Sequence, residues 1–223
     1  MTARERILSR VRASLGAKPD DAARQDMAGR RIAEHPVTLL PERATRSGEA
    51  LYAQFRALLE GQQATIVEVA EASAAPAAVR DYLVAAGVPA AIRIGEDARL
   101  ASMPWTDTAG LTVLKGAAEA GDRAGLSYAI AGISETGTLV IAAGRDNPVT
   151  LAFMPETHVI VVARDSIAAS YEQALSSVRE RFGASGMPRT LNYISGPSRT
   201  ADIGGKIVIG AHGPRRLGII VVG

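Results

Sequence analysis

The 223-residue sequence contains no cysteine. Disulfides, thiolate zinc centres, iron–sulfur clusters and cysteine nucleophiles are therefore excluded for this chain. Aromatic residues make up only 4%, so a core has to be assembled from Ala, Val, Leu and Ile, and a stacking platform for nucleic-acid bases is not expected. No apolar run nears the roughly 20 residues of a membrane span. The N-terminus also lacks the apolar segment of a signal peptide, so a cytoplasmic protein is expected. The motifs GxxxxGK[ST], GxGxxG after a first strand and HExxH are missing, which argues against Walker-type ATP hydrolysis, an ordinary dinucleotide fold and zincin proteolysis. "GISETG" differs from GxSxG because Thr136 stands between Glu135 and Gly137.

What is present is an ordinary globular composition, 47% hydrophobic and 22% charged, with a net charge of +2. The length suits one sizeable α/β domain, with at most an added arm. Residues 1–46 hold ten Lys/Arg against six Asp/Glu, leaving 15 against 17 for the remainder. The basic excess therefore belongs to the start of the chain. There "TARERILSRVRASLG" sets Ile7, Leu8, Val11 and Leu15 on one helical face, with Gly16 as a stop. Such a face suits an acidic partner, a membrane surface or plain solvation. From Lys18 to Pro41 the pattern turns polar and aperiodic, as in a loosely held linker. Residues 1–40 are accordingly expected as helix and linker, and 41–223 as the folded domain.

Within that domain "GEALYAQFRALLEG" and "SAAPAAVRDYLVAAGV" carry helical periods, each followed by a strand, "ATIVEV" and "AAIRI". This rhythm predicts crossover units and a mostly parallel sheet flanked by helices. After Leu111 the texture becomes β-rich, with "LTVL", "YAIAGI", "TLVIAA", "VTLAF", "HVIVVA", "KIVIG" and "LGIIVVG" as strands and "SIAASYEQALSSVRERFG" as one further helix.

Three loops concentrate polar chemistry. In "AGISETGTLVIAAG", Ser134, Glu135, Thr136, Gly137 and Thr138 precede an apolar strand; Glu135 suits a base or nucleophile, or merely a solvated turn acid. In "MPETHVIVV", Glu156 and His158 stand at a strand entrance, where a structural histidine is the simpler reading and a metal lacks a third ligand. The third loop, "SGPSRTADIGGKIVIGAHGP", offers the hydroxyls of Ser195, Ser198 and Thr200, the forked cation of Arg199, Asp202 as an orienting carboxylate, and His212 between two glycine-proline corners. Histidine exchanges protons near neutral pH, and the hydroxyls and guanidinium suit a small carboxylate or phosphate.

"ETGTLVIAAG", "MPETHVIVVARDSI", "SGPSRTADI" and "GAHGPRRLGIIVV", in this order, resemble the lactate utilization protein C family, also called the LUD domain, from about Leu51 to Gly223. The resemblance implies a sheet of the NagB/RpiA/CoA-transferase-like superfamily and membership of a bacterial system oxidising L-lactate to pyruvate. In such a system iron–sulfur clusters reside in partner polypeptides, so no cofactor is expected in this chain. Residue type and loop position give the expected ligand site as Ser134, Thr136, Gly137, Thr138, Ser195, Ser198, Arg199 and Thr200, with Glu135 and His212 handling protons and Asp202 orienting them. Ser134-Glu135-Thr136-Gly137 is also similar to the Ser-Glu-Asn-Gly motif of family I CoA-transferases, which would set Glu135 over a pocket floored by Ser198, Arg199 and Asp202. A stand-alone enzyme of CoA-transferase or cyclo-ligase kind and a non-catalytic scaffold are the alternatives. The family commonly has an acidic residue after "SRTADI"; this chain has Gly204-Gly205. If that acid shapes the pocket, a different ligand or activity follows.

Overall fold

The computed structural model describes every residue except Ala17, Pro19, Thr38, Ala184, Ser185 and Ile203. It comprises two compact units, Met1–Leu39 and Leu40–Gly223.

In the first unit, α1 (Ala3–Ser14) starts at a capping box. The Thr2 hydroxyl accepts the Glu5 N–H at 3.2 Å while the Glu5 carboxylate accepts the Thr2 N–H at 2.6 Å. A second helix, α2 (Ala22–Glu34), occupies much of the stretch expected to be a linker. Asp21 caps its start, accepting the Arg24 N–H, and His35 ends it in the left-handed conformation at φ 47°. Alanine, glutamine, arginine and methionine favour helix without any apolar period, which is why periodicity missed it. Neither helix contains a buried residue.

The second unit opens with α3 (Gly48–Gly61), β1 (Thr65–Val69), α4 (Ala75–Ala85), β2 (Ala91–Ile94), the short α5 (Ala98–Ala101), β3 (Thr112–Lys115) and β4 (Ala124–Tyr128). The hairpin of β5 (Ala131–Ile133) and β6 (Thr138–Ala142) follows, then β7 (Thr157–Ala163), β8 (Ile167–Ala168), α6 (Tyr171–Phe182), β9 (Leu191–Ile194), the two-residue strands β10 (Arg199–Thr200) and β11 (Val208–Ile209), and finally β12 (Arg216–Val222). Six strands form one parallel sheet in the order β1-β12-β7-β4-β2-β3. A second sheet, β8-β5-β6-β9, is mostly antiparallel, and β10-β11 is a separate ribbon.

Strands β12, β7 and β4 of the main sheet are buried on both faces, so β7 and β12 read as continuous apolar runs. Along β7, Val159 and Val161 pack into the core shared with α4 and α5, whereas Ile160 and Val162 pack into a second core with α3 and β6. On β6, Leu139 and Ile141 join that second core, and Val140 and Ala142 turn to α6. The layers are therefore α4 and α5, the main sheet, α3 with the second sheet, and α6.

Two strand expectations differ from the structure. "YAIAGI" is divided between two sheets: Tyr128 ends β4, the Ala129 N–H still bonds to Val161 O, and the Ile130 N–H already bonds to Val140 O. "VTLAF" is a 3-10 turn over Val149–Ala152 started by Pro148, with Leu151 and Ala152 buried against β4. An apolar plug and a buried strand look alike over so few residues. The first residues of "SIAASYEQALSSVRERFG" form β8, because the Ser170 hydroxyl caps α6 by accepting the Gln173 N–H at 3.3 Å.

Tyr82 of α4 lies flat against Gly218 of β12, where a Cβ would come within 2.6 Å of the ring. Gly218→Ala is expected to cost about 1–3 kcal/mol by overpacking. Urea denaturation checks this, and an unchanged midpoint would mean that the α4 layer yields more readily than the geometry implies.

Candidate functional site

The third polar loop folds back on itself. The Ser198 N–H donates to Pro214 O at 2.8 Å and the Gly210 N–H donates to Ser198 O at 2.8 Å, so the two glycine-proline corners are tied side by side. Between them β10 and β11 form the short ribbon, with Arg199 opposite Ile209 and Thr200 opposite Val208. A cavity of about 520 Å³ lies at the base of this ribbon. Ser195, Ser198 and Arg199 line it from one corner and His212 from the other, Tyr193 of β9 lies along it, and His158 and Leu217 contribute from the starts of β7 and β12.

Arg199 is anchored by its neighbours. It donates through Nη2 to Gln62 O at 2.7 Å and Gln63 Oε1 at 2.9 Å, and through Nη1 to Gln62 Oε1 at 3.2 Å. Gln62 is the C-cap of α3. A cation at that end satisfies orphan carbonyl groups and complements the helix dipole. Three of the five N–H groups of an arginine are thus engaged among the described residues, leaving two for a ligand.

The glycine-rich turn before β6 reaches the same corner through hydroxyls. Thr138 Oγ1 lies 2.7 Å from both Ser195 Oγ and Thr136 Oγ1, and Thr136 Oγ1 donates to Tyr171 Oη at 3.1 Å. The ring of Tyr171 also packs against that of Tyr193, with centroids 5.8 Å apart. Ser134 points the other way, donating to Leu51 O at 2.7 Å and receiving Gln54 Nε2 at 3.1 Å. Gly137 closes the turn against Leu58, where a Cβ would come within 2.7 Å.

Glu135 does not line the cavity. Its carboxylate is almost buried and accepts from Arg43 Nη2 at 3.1 Å. Asp202 is exposed in the ribbon's tip, where its N–H donates to Thr200 Oγ1 at 3.2 Å, and it too stands away from the cavity lining. The expected pocket with Glu135 above Ser198, Arg199 and Asp202 is therefore not the arrangement found. Ser198 and Arg199 are joined instead by His212 and His158. Ile203, in the same motif, lies outside the described residues.

His158 is 1% exposed, and its Nε2 lies 3.0 Å from Ser127 Oγ. Burial pushes its pKa from 6.5 down to about 3, so the ring is neutral. Glu156, two residues earlier, is instead engaged by Arg123 at 2.8 Å and Arg216 at 3.0 Å. Among the described residues no cluster of three or more His, Asp or Glu is placed to hold a metal ion. Tyr171 and Tyr193 were not legible as site neighbours, because the helix start and β9 that deliver them carry no distinctive spacing.

The LUD domain family matches residues 52–222. The chain belongs to this family. It is 35% identical over 106 residues to "Lactate utilization protein C" of Anoxybacillus flavithermus, covering 47% of this chain and 46% of that protein. The Bacillus subtilis protein of the same name is 33% identical over 100 residues, covering 44% and 41%. The alignments thus span less than half of these curated relatives. A crystal structure of a DUF162 family protein from Deinococcus radiodurans superposes with a TM-score of 0.60 at 26% identity, covering 80% of this chain and 99% of that one. No helix among the described residues of this LUD protein is long and apolar enough to cross a membrane.

The buried histidine makes a pH test available. Between pH 6.5 and about 3 the unfolded chain takes up a proton at His158 that the folded chain refuses. The unfolded state binds more protons there, so stability falls as pH falls. In His158→Gln the thermal midpoint should drop less steeply from pH 6.5 to pH 4 than in the wild type. Parallel profiles would show that His158 is not held neutral.

Proposed function

We propose that this LUD domain protein serves L-lactate utilization by binding a small carboxylate, lactate or its keto product, in the 520 Å³ cavity beneath the ribbon. The observation that carries the reading is the convergence of family motifs on one cavity. The corners of "SGPSRTADI" and "GAHGP" line it with Ser195, Ser198, Arg199 and His212, while "MPETH" supplies His158. The two spare N–H groups of Arg199 and the serine hydroxyls suit a carboxylate, and such charge-assisted hydrogen bonds are the strong kind. His212 is exposed at the rim, where its ring can hydrogen-bond a ligand entering the cavity. Neutral His158 suits a hydrogen bond rather than proton transfer.

Oxidising lactate to pyruvate removes two electrons and two protons. The family resemblance places the electrons on separate iron–sulfur polypeptides, with which the lack of cysteine in this chain is consistent, and this chain is assigned to substrate handling. The pairing of Glu135 with Arg43, away from the cavity lining, disfavours acyl transfer through that glutamate onto a ligand bound there.

The purified chain is expected to bind L-lactate or pyruvate in calorimetry, and Arg199→Ala to weaken that binding about 10- to 100-fold. In a strain lacking its own copy, Arg199→Ala and His212→Ala should abolish growth on L-lactate but not on glucose. Wild-type growth on lactate with both variants would sink the proposal. Turnover of CoA esters by the chain alone would replace it with a self-contained enzyme.

A further inference from the structure

The neighbouring strands β2 and β4 lie side by side, yet the chain leaves their carboxyl ends toward opposite faces of the sheet. After β2 it enters α5, whose Leu100 packs into the core shared with α4. After β4 it passes through Ala129 into the second core and on to β5 and β6. Where neighbouring connections diverge in this way a crevice opens, and open α/β sheets bind ligands there. The cavity with His158 lies at the other ends of the strands, near the start of β7.

At the β2/β4 divergence there is a separate cavity of about 190 Å³, and three arginines, Arg99, Arg145 and Arg181, line it together with Asn147. Its frame is fixed. The Tyr128 N–H donates to Oδ1 of the buried Asn147 at 2.8 Å, and the Glu96 N–H donates to Arg145 O at 3.0 Å. Gly95 packs so closely on this loop that a Cβ would run into the Asp146 carbonyl. Arg99 is fixed as well, gripping the buried Asp97 carboxylate through Nη2 at 2.6 Å and Nε at 3.0 Å, with its guanidinium 3.8 Å above the Tyr128 ring.

The other two arginines are held loosely. Arg145 reaches Glu96 at 3.3 Å and Arg181 reaches Asp146 at 3.9 Å, and all four side chains are more than a third exposed. Exposed pairs of this length contribute little and exchange readily. The guanidinium groups facing the cavity are therefore restrained by acids that an incoming anion could displace, while Asp97 stays committed to Arg99.

We infer that this crevice is a second ligand site, taking the oxyanion group of a small molecule, a phosphate or a carboxylate, between the forks of Arg145 and Arg181. It does not depend on lactate binding in the larger cavity.

The test uses the full chain carrying Arg199→Gln, which removes the cation of the larger cavity, and titrates it at constant ionic strength with inorganic phosphate and, in a separate arm, with sodium L-lactate. Saturable binding of either probe is expected; the arm that saturates at lower concentration identifies the oxyanion. In that background Arg145→Gln/Arg181→Gln should weaken it at least tenfold. Glu96→Gln/Asp146→Asn, which removes the competing acids, should tighten it several-fold, an effect opposite to that of damage to the fold. The inference is overturned if neither probe saturates or if the chain with the added double arginine substitution binds like its Arg199→Gln parent.

Discussion

The parallel pairing of β12 with β7 is the constraint on which the rest of the molecule depends. The last strand of the chain inserts between β1, the first, and β7, with Leu217 beside His158 and Ile219 beside Ile160. Because β12 begins immediately after the second glycine-proline corner, this register also delivers His212 and Pro214 to the start of β7. The Arg215 and Arg216 N–H groups both donate to Glu156 O, at 2.8 and 3.1 Å, and lock the approach. A slip of one residue would turn Ile219 and Ile220 to the wrong cores and move the corner off the histidine. Burial of the sheet and construction of the cavity are thus one event.

The same arrangement separates two kinds of polar chemistry. In the cavity at the amino ends of β7 and β12, charge is restrained: His158 is neutral because it is buried, and Arg199 spends most of its donors on the end of α3. The hydroxyls of Thr136, Thr138, Ser195 and Tyr171 connect the second sheet to this region without adding charge. At the carboxyl ends of β2 and β4, by contrast, arginines and acids crowd a smaller cavity. One end of the sheet thus presents a hydrogen-bonding environment, and the other presents arginines each set against an acid.

The α/β class, the mostly parallel sheet and the loop that lines the larger cavity were legible, because apolar runs between glycine, proline and asparagine turns report burial directly. Partner choice was not. Glu135 sits in a motif that reads as catalytic, yet its carboxylate is satisfied by Arg43, 92 residues away in sequence, and no local pattern encodes that pairing. The arginine crevice was missed for the same reason: Arg99, Arg145 and Arg181 come from three separate segments that only the sheet order brings together. His158 was read from its position as a structural histidine, and its contact with Ser127 agrees; the cavity beside it depends on β12, whose pairing with β7 is invisible to periodicity.

Gly204 and Gly205 are exposed in the tip of the ribbon with φ of 62° and 69°, a region that costs a side-chain-bearing residue about 1 kcal/mol or more. Neither lines the larger cavity, whose polar contents come from the ribbon's base. An acidic residue at this position would therefore alter the backbone and charge of the tip, next to the exposed Asp202, while Ser195, Ser198, Arg199 and His212 would stay in place around the cavity.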